Sequence, residues 1–100
     1  MEKSIAHYPL DEIKERVRVH GRSAFTKAAV RGIDAMGLTE DDAIVVVLGL
    51  KREMLFKSMT THADHRVWQD VYHARCPNGK TAYIKVTIQA GATVIQFKEK

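Results

Sequence analysis

The sequence predicts an α+β domain in which N-terminal helices pack on one face of a mostly antiparallel C-terminal β-sheet. In residues 1–50, apolar side chains recur at helical spacing between capping residues and glycines. After Gly49 the apolar period changes to two, which indicates strands. Helices followed by an unbroken series of strands are typical of this class. The 100 residues contain no repeat or linker, so we expect a single domain over residues 1–100.

Two helices are expected before residue 38. The first follows Pro9, with Asp11 as its N-cap and Gly21 at its end. The second is capped by Ser23 and stops at Gly37. Its buried face is expected to contain Phe25, Ala29, Ile33 and Met36.

A third helix is expected after Thr39, which precedes three acidic residues as an N-cap does. The following run, Ile44–Leu48, is β-branched and would also suit a strand. Because a capping signal has a direction, we interpret the run as a buried helix. In either conformation the run is expected to belong to the core.

Four strands are expected in the second half, separated by turn residues. Asn78-Gly79 and Ala90-Gly91 mark turns between the last three. The expected strands are residues 54–59, 66–74, 80–89 and 92–99.

Side chains alternate across a strand, so each strand offers one face to the helices and one away from them. Phe56 is assigned to the helix side. The face turned away collects basic and polar groups with one aromatic ring and one thioether. Its members are Lys57, Met59, Gln69, Arg75, Tyr83, Lys85, Gln96 and Lys98.

The last hairpin has a predicted register. A two-residue loop at Ala90-Gly91 places Tyr83 directly opposite Lys98 and Lys85 opposite Gln96. Directly opposed residues have Cβ atoms about 5 Å apart.

The preceding hairpin has two possible registers. A three-residue loop, Pro77–Gly79, places Gln69 opposite Thr87, roughly 13 Å along the strand from Tyr83. A wider loop over 73–79 would place Gln69 opposite Tyr83 and make a more compact site. Turn chemistry favours the first alternative, and the sequence leaves both open.

The charge distribution favours a nucleic-acid partner. The net charge is +4 and the sequence pI is about 9.4. Residues 1–50 contain seven Lys and Arg against eight Asp and Glu, whereas residues 51–100 contain nine against four. The excess positive charge therefore lies in the half that contains the strands.

Compartment signals are few. The single cysteine, Cys76, excludes an internal disulfide and fits a reducing compartment. The longest apolar run, 43–48, is too short to cross a bilayer, and the N-terminus has no apolar signal core. We therefore expect a cytoplasmic protein with no membrane partner.

Several segments resemble the motility quorum-sensing regulator (MqsR) family of bacterial toxins. They are Met1–Lys3, Phe56–Thr61, Asp64–His65, Trp68–Tyr72 and Phe97–Lys100. The resemblance implies a RelE-like fold and a ribosome-independent mRNA endonuclease that cuts at GC-containing sites. It also implies a neutralising antitoxin that binds zinc and DNA, so that DNA is reached only through the antitoxin. Uncovered strand edges and the basic face are the surfaces expected to attract it.

The basic face has the groups needed to cut RNA without a metal or other cofactor. Lys57 and Lys98 can neutralise a phosphorane, and crowding would lower the pKa of one of them for proton transfer. Tyr83 can act as acid or base, and Gln69 can orient an oxygen. The family's active-site residues fall on these four positions and on Met59. RNA-binding roles are predicted for Met59, His62, Arg75, Lys85 and Gln96.

The histidine-containing loop has other interpretations. His62 and His65 could run acid–base catalysis, or could bind a metal with Asp64, although three ligands at this spacing make a weak zinc site. Asp64 and His65 could instead order the loop. Asp70 is expected to face the core and accept backbone hydrogen bonds. The alternatives to an endonuclease are a non-catalytic RNA-binding module and a transcriptional co-regulator acting through its antitoxin.

Overall fold

The computed structural model describes residues 1–100, and it confirms the α+β prediction: three helices lie on one side of a five-stranded antiparallel sheet. The helices are α1 (Leu10–His20), α2 (Lys27–Ala35) and α3 (Glu40–Leu48), with 3-10 turns at Gly21–Ala24 and Arg52–Met54. The strands are β1 (Glu2–Lys3), β2 (Leu55–Thr60), β3 (Trp68–Arg75), β4 (Thr81–Gln89) and β5 (Ala92–Glu99). The sheet order is β1-β2-β3-β4-β5, so spatial neighbours follow the chain.

The predicted cap of α3 is confirmed. The Thr39 hydroxyl accepts from the Asp42 N–H at 3.1 Å, and the Asp42 carboxylate accepts from the Thr39 N–H at 2.9 Å. These two bonds satisfy N–H groups that the first turn of a helix leaves free. The run that follows is core only in part, because Val47 is fully buried whereas Val45 is 66% exposed.

The predicted caps of the first two helices are wrong. Asp11 lies inside the first turn of α1, which begins directly after Pro9. Ser23 lies in the 3-10 turn, where its hydroxyl donates to the carbonyl of His20 at 2.8 Å. Thr26 caps α2 instead, three residues later than expected, and its hydroxyl accepts from the third helical N–H at 3.0 Å.

The registers of both hairpins are fixed. Tyr83 pairs with Lys98, as predicted. The hairpin between β3 and β4 uses the three-residue loop Pro77–Gly79, and Tyr83 pairs with His73. Gln69 therefore falls level with Thr87, and the compact alternative is wrong. The positive φ of +85° at the last loop residue explains why a glycine is found there.

The first strand was not predicted, because two residues are too few to show a period. Glu2 pairs with Met59 in β2, and Lys3 pairs with Ser58. The residues that follow cross the helix-side face of the sheet and lead into α1.

Asp70 holds this N-terminal segment. Its carboxylate accepts from the backbone N–H of His7 at 3.0 Å, the N–H of Tyr8 at 2.9 Å and the Ser58 hydroxyl at 2.6 Å. Asp70 is 1% exposed. The prediction that it faces the core and accepts backbone hydrogen bonds is confirmed.

One sheet edge is covered, contrary to the expectation of uncovered edges. The N–H of Thr26 donates to the carbonyl of Ile95 at 3.1 Å, and α2 then runs along β5. At Gly32 the helix comes so close that an added Cβ would lie 2.2 Å from the Phe97 carbonyl oxygen. The absence of a side chain at Gly32 therefore sets the distance between helix and sheet.

The core lies between the helices and the inner sheet face. Phe97, Ile33, Met36 and Ile84 are among its largest buried side chains. Cys76 is a free, buried cysteine, and burial raises the pKa of its thiol. None of the helices is long and apolar enough to cross a membrane.

We predict that Gly32→Ala destabilises the fold. Overpacking against the Phe97 carbonyl should lower the free energy of unfolding by about 1–3 kcal/mol. This loss should appear although Ala is otherwise better than Gly in a helix by about 1 kcal/mol. Gly49→Ala is the control, because a Cβ there would be 3.4 Å from its nearest neighbour, the Val45 carbonyl oxygen. Urea unfolding of both variants measures the difference, and equal midpoints would contradict the close approach.

Candidate active site

The sheet face turned away from the helices, called the open face below, holds the residues predicted for it. The side chains that alternate with the helix-side core along β3, β4 and β5 point to this face. The cross-strand pairs arrange them in rows, and neighbouring rows lie about 7 Å apart. The open-face residues predicted from the sequence that lie in β2–β5 are Lys57, Met59, Gln69, Arg75, Tyr83, Lys85, Gln96 and Lys98.

The middle row runs from Lys57 through Val71 and Lys85 to Gln96. Val71 is completely buried, yet it does not belong to the helix-side core cluster. It lies between the two half-buried lysines of its row. This row therefore has an apolar floor with a cation on either side.

Lys57 is paired with a carboxylate from the unpredicted strand β1. Its Nζ lies 2.7 Å from Oε1 of Glu2. The hydrogen bond with Glu2 raises the pKa of Lys57, and the nearby Tyr83 contributes in the same direction. The expectation that crowding lowers a lysine pKa for proton transfer is therefore wrong for Lys57, which is a fixed cation.

Tyr83 lies at the centre of the next row. Its ring centroid is 5.6 Å from that of His73 on one side, and the Lys98 Nζ lies 5.2 Å from it on the other. Lys57 is close enough for the two side chains to interact electrostatically. The structure thus places Lys98 beside Tyr83 and Lys57 one row away on β2, all three on the open face as the strand alternation predicted.

Phe56 was assigned to the helix side, and that assignment is wrong. Leu55 pairs with Tyr72, and the register of the pairing shifts before Lys57. Phe56 is therefore the extra residue of a β-bulge. Its ring stacks on His73 with centroids 4.5 Å apart and planes at 21°. Because the ring meets His73, it belongs to the open face.

His73 is a central residue of the face that the sequence-based site omitted. The alternation of side chains along β3 already predicts that His73 lies on the open face. Burial, followed by the charge of Lys100, lowers its pKa from the ordinary 6.5. This shift favours the neutral form of the imidazole.

Gln69 and Met59 form a separate row on the other side of Lys57. Met59 pairs with Gln69, and the β3–β4 register separates Gln69 from Tyr83 by about 13 Å along the strand. Lys57 lies between them, diagonal to Gln69. The four predicted catalytic residues consequently form an elongated track with Lys57 in its middle.

The remaining predicted RNA-binding residues lie around this track. Lys85 and Gln96 line a shallow depression with Lys98 and with Ala28 from α2. Arg75 is exposed one row beyond Tyr83, opposite Thr81.

His62 is exposed in the loop between β2 and β3, beyond the row of Met59 and Gln69. Asp64 orders this loop. Its N–H donates to the Thr61 hydroxyl at 3.0 Å, its carboxylate binds the Arg66 side chain at 3.1 Å, and this pairing lowers the pKa of Asp64. The structure contains no group of three or more His, Cys, Asp or Glu side chains arranged to hold a metal.

Comparison with known proteins decides the family. Residues 5–99 match the family model described as motility quorum-sensing regulator, toxin of MqsA. The chain belongs to this family of toxins. It is also 38% identical to the mRNA interferase toxin MqsR of Escherichia coli (strain K12), over 100 residues that cover all of both chains. The resemblance inferred from the sequence is therefore confirmed.

We predict that Glu2→Gln lowers the pKa of Lys57. The carboxylate is the main cause of the raised pKa, and its removal leaves burial to act in the opposite direction. A 13C-detected NMR titration of the lysine side chains measures the change. Glu99→Gln is the control. It removes the carboxylate that lies 3.7 Å from the Lys80 Nζ, and it should leave the pKa of Lys57 unchanged. An unaltered Lys57 midpoint in Glu2→Gln would contradict the ion pair.

Proposed function

We propose that this chain is a toxin endoribonuclease that cleaves mRNA in the cytoplasm, independently of ribosomes and metal ions, and so inhibits translation and growth. The observation that best supports it is the gathering of Lys57, Tyr83 and Lys98 on the open face. The name of the E. coli relative, mRNA interferase toxin, supports the same substrate.

The reaction proposed uses the RNA's own nucleophile. The 2′-oxygen attacks the adjacent phosphorus while its proton passes to a base, and the bond from phosphorus to the 5′-oxygen breaks. The leaving oxygen takes up a proton. The products are a 2′,3′-cyclic phosphate and a 5′-hydroxyl, and no water or metal is consumed. DNA lacks the 2′-hydroxyl and is spared.

Each side chain has a proposed role in this reaction. Lys57, a fixed cation, and Lys98 stabilise the negative charge that develops on the phosphorane. Tyr83, which pairs with Lys98 and lies one row away from Lys57, exchanges a proton with the reacting oxygens. Gln69 has both donors and an acceptor, and it orients the RNA backbone on the far side of Lys57.

The rest of the track binds the substrate. Arg75 and Lys85 bind phosphates, Gln96 adds a polar contact, and Met59 offers an adaptable apolar surface to a base. His62 extends this surface into the loop. Cleavage at GC-containing sites is part of the proposal, because the family resemblance implies it.

A cognate antitoxin is the proposed second partner. The family description, toxin of MqsA, supports this pairing. We propose that the antitoxin binds zinc and DNA, and that this chain reaches DNA only through it. The cationic pair on α2, Lys27 and Arg31, is exposed but does not make a recognition helix. An acidic segment of the antitoxin would suit the open face.

We predict that the purified chain cleaves a defined RNA in the presence of EDTA and leaves 2′,3′-cyclic phosphate and 5′-hydroxyl ends. Lys57→Ala, Tyr83→Phe and Lys98→Ala should each lower the single-turnover rate about 10²- to 10³-fold. Lys14→Ala on α1 is the matched control and should cleave like the unaltered chain. End-group analysis and rate measurements on the same RNA provide both readouts.

The competing function is a non-catalytic RNA-binding module on the same face. In that case the three variants would lose affinity and show a smaller dependence of binding on salt, with no cleavage to lose. Cleavage that a chelator abolishes would contradict the metal-free mechanism. Cleavage of DNA at a similar rate would contradict the use of the 2′-hydroxyl.

A further inference from the structure

Phe56 is an aromatic side chain exposed to solvent on a basic surface. It is 54% exposed, whereas Phe97 is buried and the Trp68 and Tyr83 rings are partly covered. The β-bulge between Leu55 and Lys57 turns it outward. Bulges commonly redirect a side chain near a functional site. Without the bulge, the alternation would have placed the ring on the helix side.

One face of the Phe56 ring is supported by a neighbouring ring. His73 stacks against it at 4.5 Å, and Tyr83 follows His73 at 5.6 Å with planes at 40°. The three rings form a column across β2, β3 and β4. Burial lowers the pKa of His73 and so favours its uncharged form as the support under Phe56.

Two cations flank this column. The Lys57 Nζ lies 5.4 Å from the centroid of the Phe56 ring, and the Lys98 Nζ lies 5.2 Å from the centroid of Tyr83. Aromatic surfaces between cations are how proteins bind single-stranded nucleic acid, since bases stack on the rings while lysines contact the phosphates. An apolar protein partner would gain nothing from the two charges.

We propose that the outward side of the Phe56 ring, supported by His73, is the stacking site for a nucleobase of the RNA, beside the RNA phosphates that Lys57 and Lys98 contact. This inference rests on the proposed function and adds to it a site for one base. A base stacked here anchors the nucleotide beside the reacting phosphate. The stack is tolerant of base identity, because every base has an aromatic face.

The test uses an RNA with a 2′-deoxy nucleotide at the mapped cleavage position, which binds without being cut. Phe56→Leu keeps an apolar side chain and removes the ring, so affinity should fall about 5- to 100-fold. Phe56→Trp keeps a stacking surface and should bind within about threefold of the unaltered chain. Val45→Ala removes exposed apolar surface on α3 and should not affect binding. Thermal unfolding of all three variants checks that they fold.

A second readout locates the base. 2-Aminopurine placed on either side of the cleavage position should be quenched at one position in the unaltered chain and not in Phe56→Leu. An abasic nucleotide at that position should weaken binding to the unaltered chain and have no further effect in Phe56→Leu. Equal RNA affinity of Phe56→Leu and the unaltered chain would overturn the stacking site. It would also be overturned if the abasic nucleotide weakened binding to Phe56→Leu as much as to the unaltered chain.

The two proposals fail in different ways. If the unaltered chain does not cut the parent RNA, the proposed function is contradicted. If it cuts the RNA but Phe56→Leu binds the uncut analogue equally well, only the stacking site is contradicted. In the latter case the exposed ring belongs to another surface, such as the contact with a protein partner.

Discussion

The register of the antiparallel sheet is the constraint on which the site depends. A slip of one residue in β3 would turn every side chain of that strand to the other face and remove His73 from Tyr83. Two local features fix the pairing: the three-residue loop Pro77–Gly79 and the bulge at Phe56. The loop aligns β3 with β4. The bulge turns the Phe56 ring to the open face and leaves the neighbouring Lys57 on that same face.

The N-terminal segment links the fold to the chemistry. Asp70 holds the chain at His7 and Tyr8 on the helix side of the sheet, while Glu2 crosses to Lys57 on the open side. One short segment thus completes the sheet, supplies partners to a buried carboxylate and raises the pKa of a proposed catalytic lysine. A substitution that weakens the hold of Asp70 would therefore change both stability and the electrostatics of the open face.

The sequence was sufficient for the fold class, the α3 cap, the last register and most of the open face, because these depend on periodicity and turn chemistry. The sequence-based predictions failed where contacts beyond the local pattern determine the structure. Thr26 rather than Ser23 caps α2, since the chain first makes a 3-10 turn. The two-residue strand β1 shows no period, so Glu2 was missed. The bulge at Phe56 breaks the strict alternation that the assignment assumed.

RNA is proposed to lie along the open face from Gln69 past Lys57 to Tyr83. The most direct measurement is an NMR titration of the 15N-labelled chain with a non-cleavable RNA that carries a 2′-deoxy nucleotide at the cleavage position. If RNA binds there, chemical-shift changes should concentrate in β2, β3, β4 and β5 around Lys57, His73 and Lys98. Changes concentrated on the exposed surfaces of α1 and α3, with the open face unaffected, would contradict it.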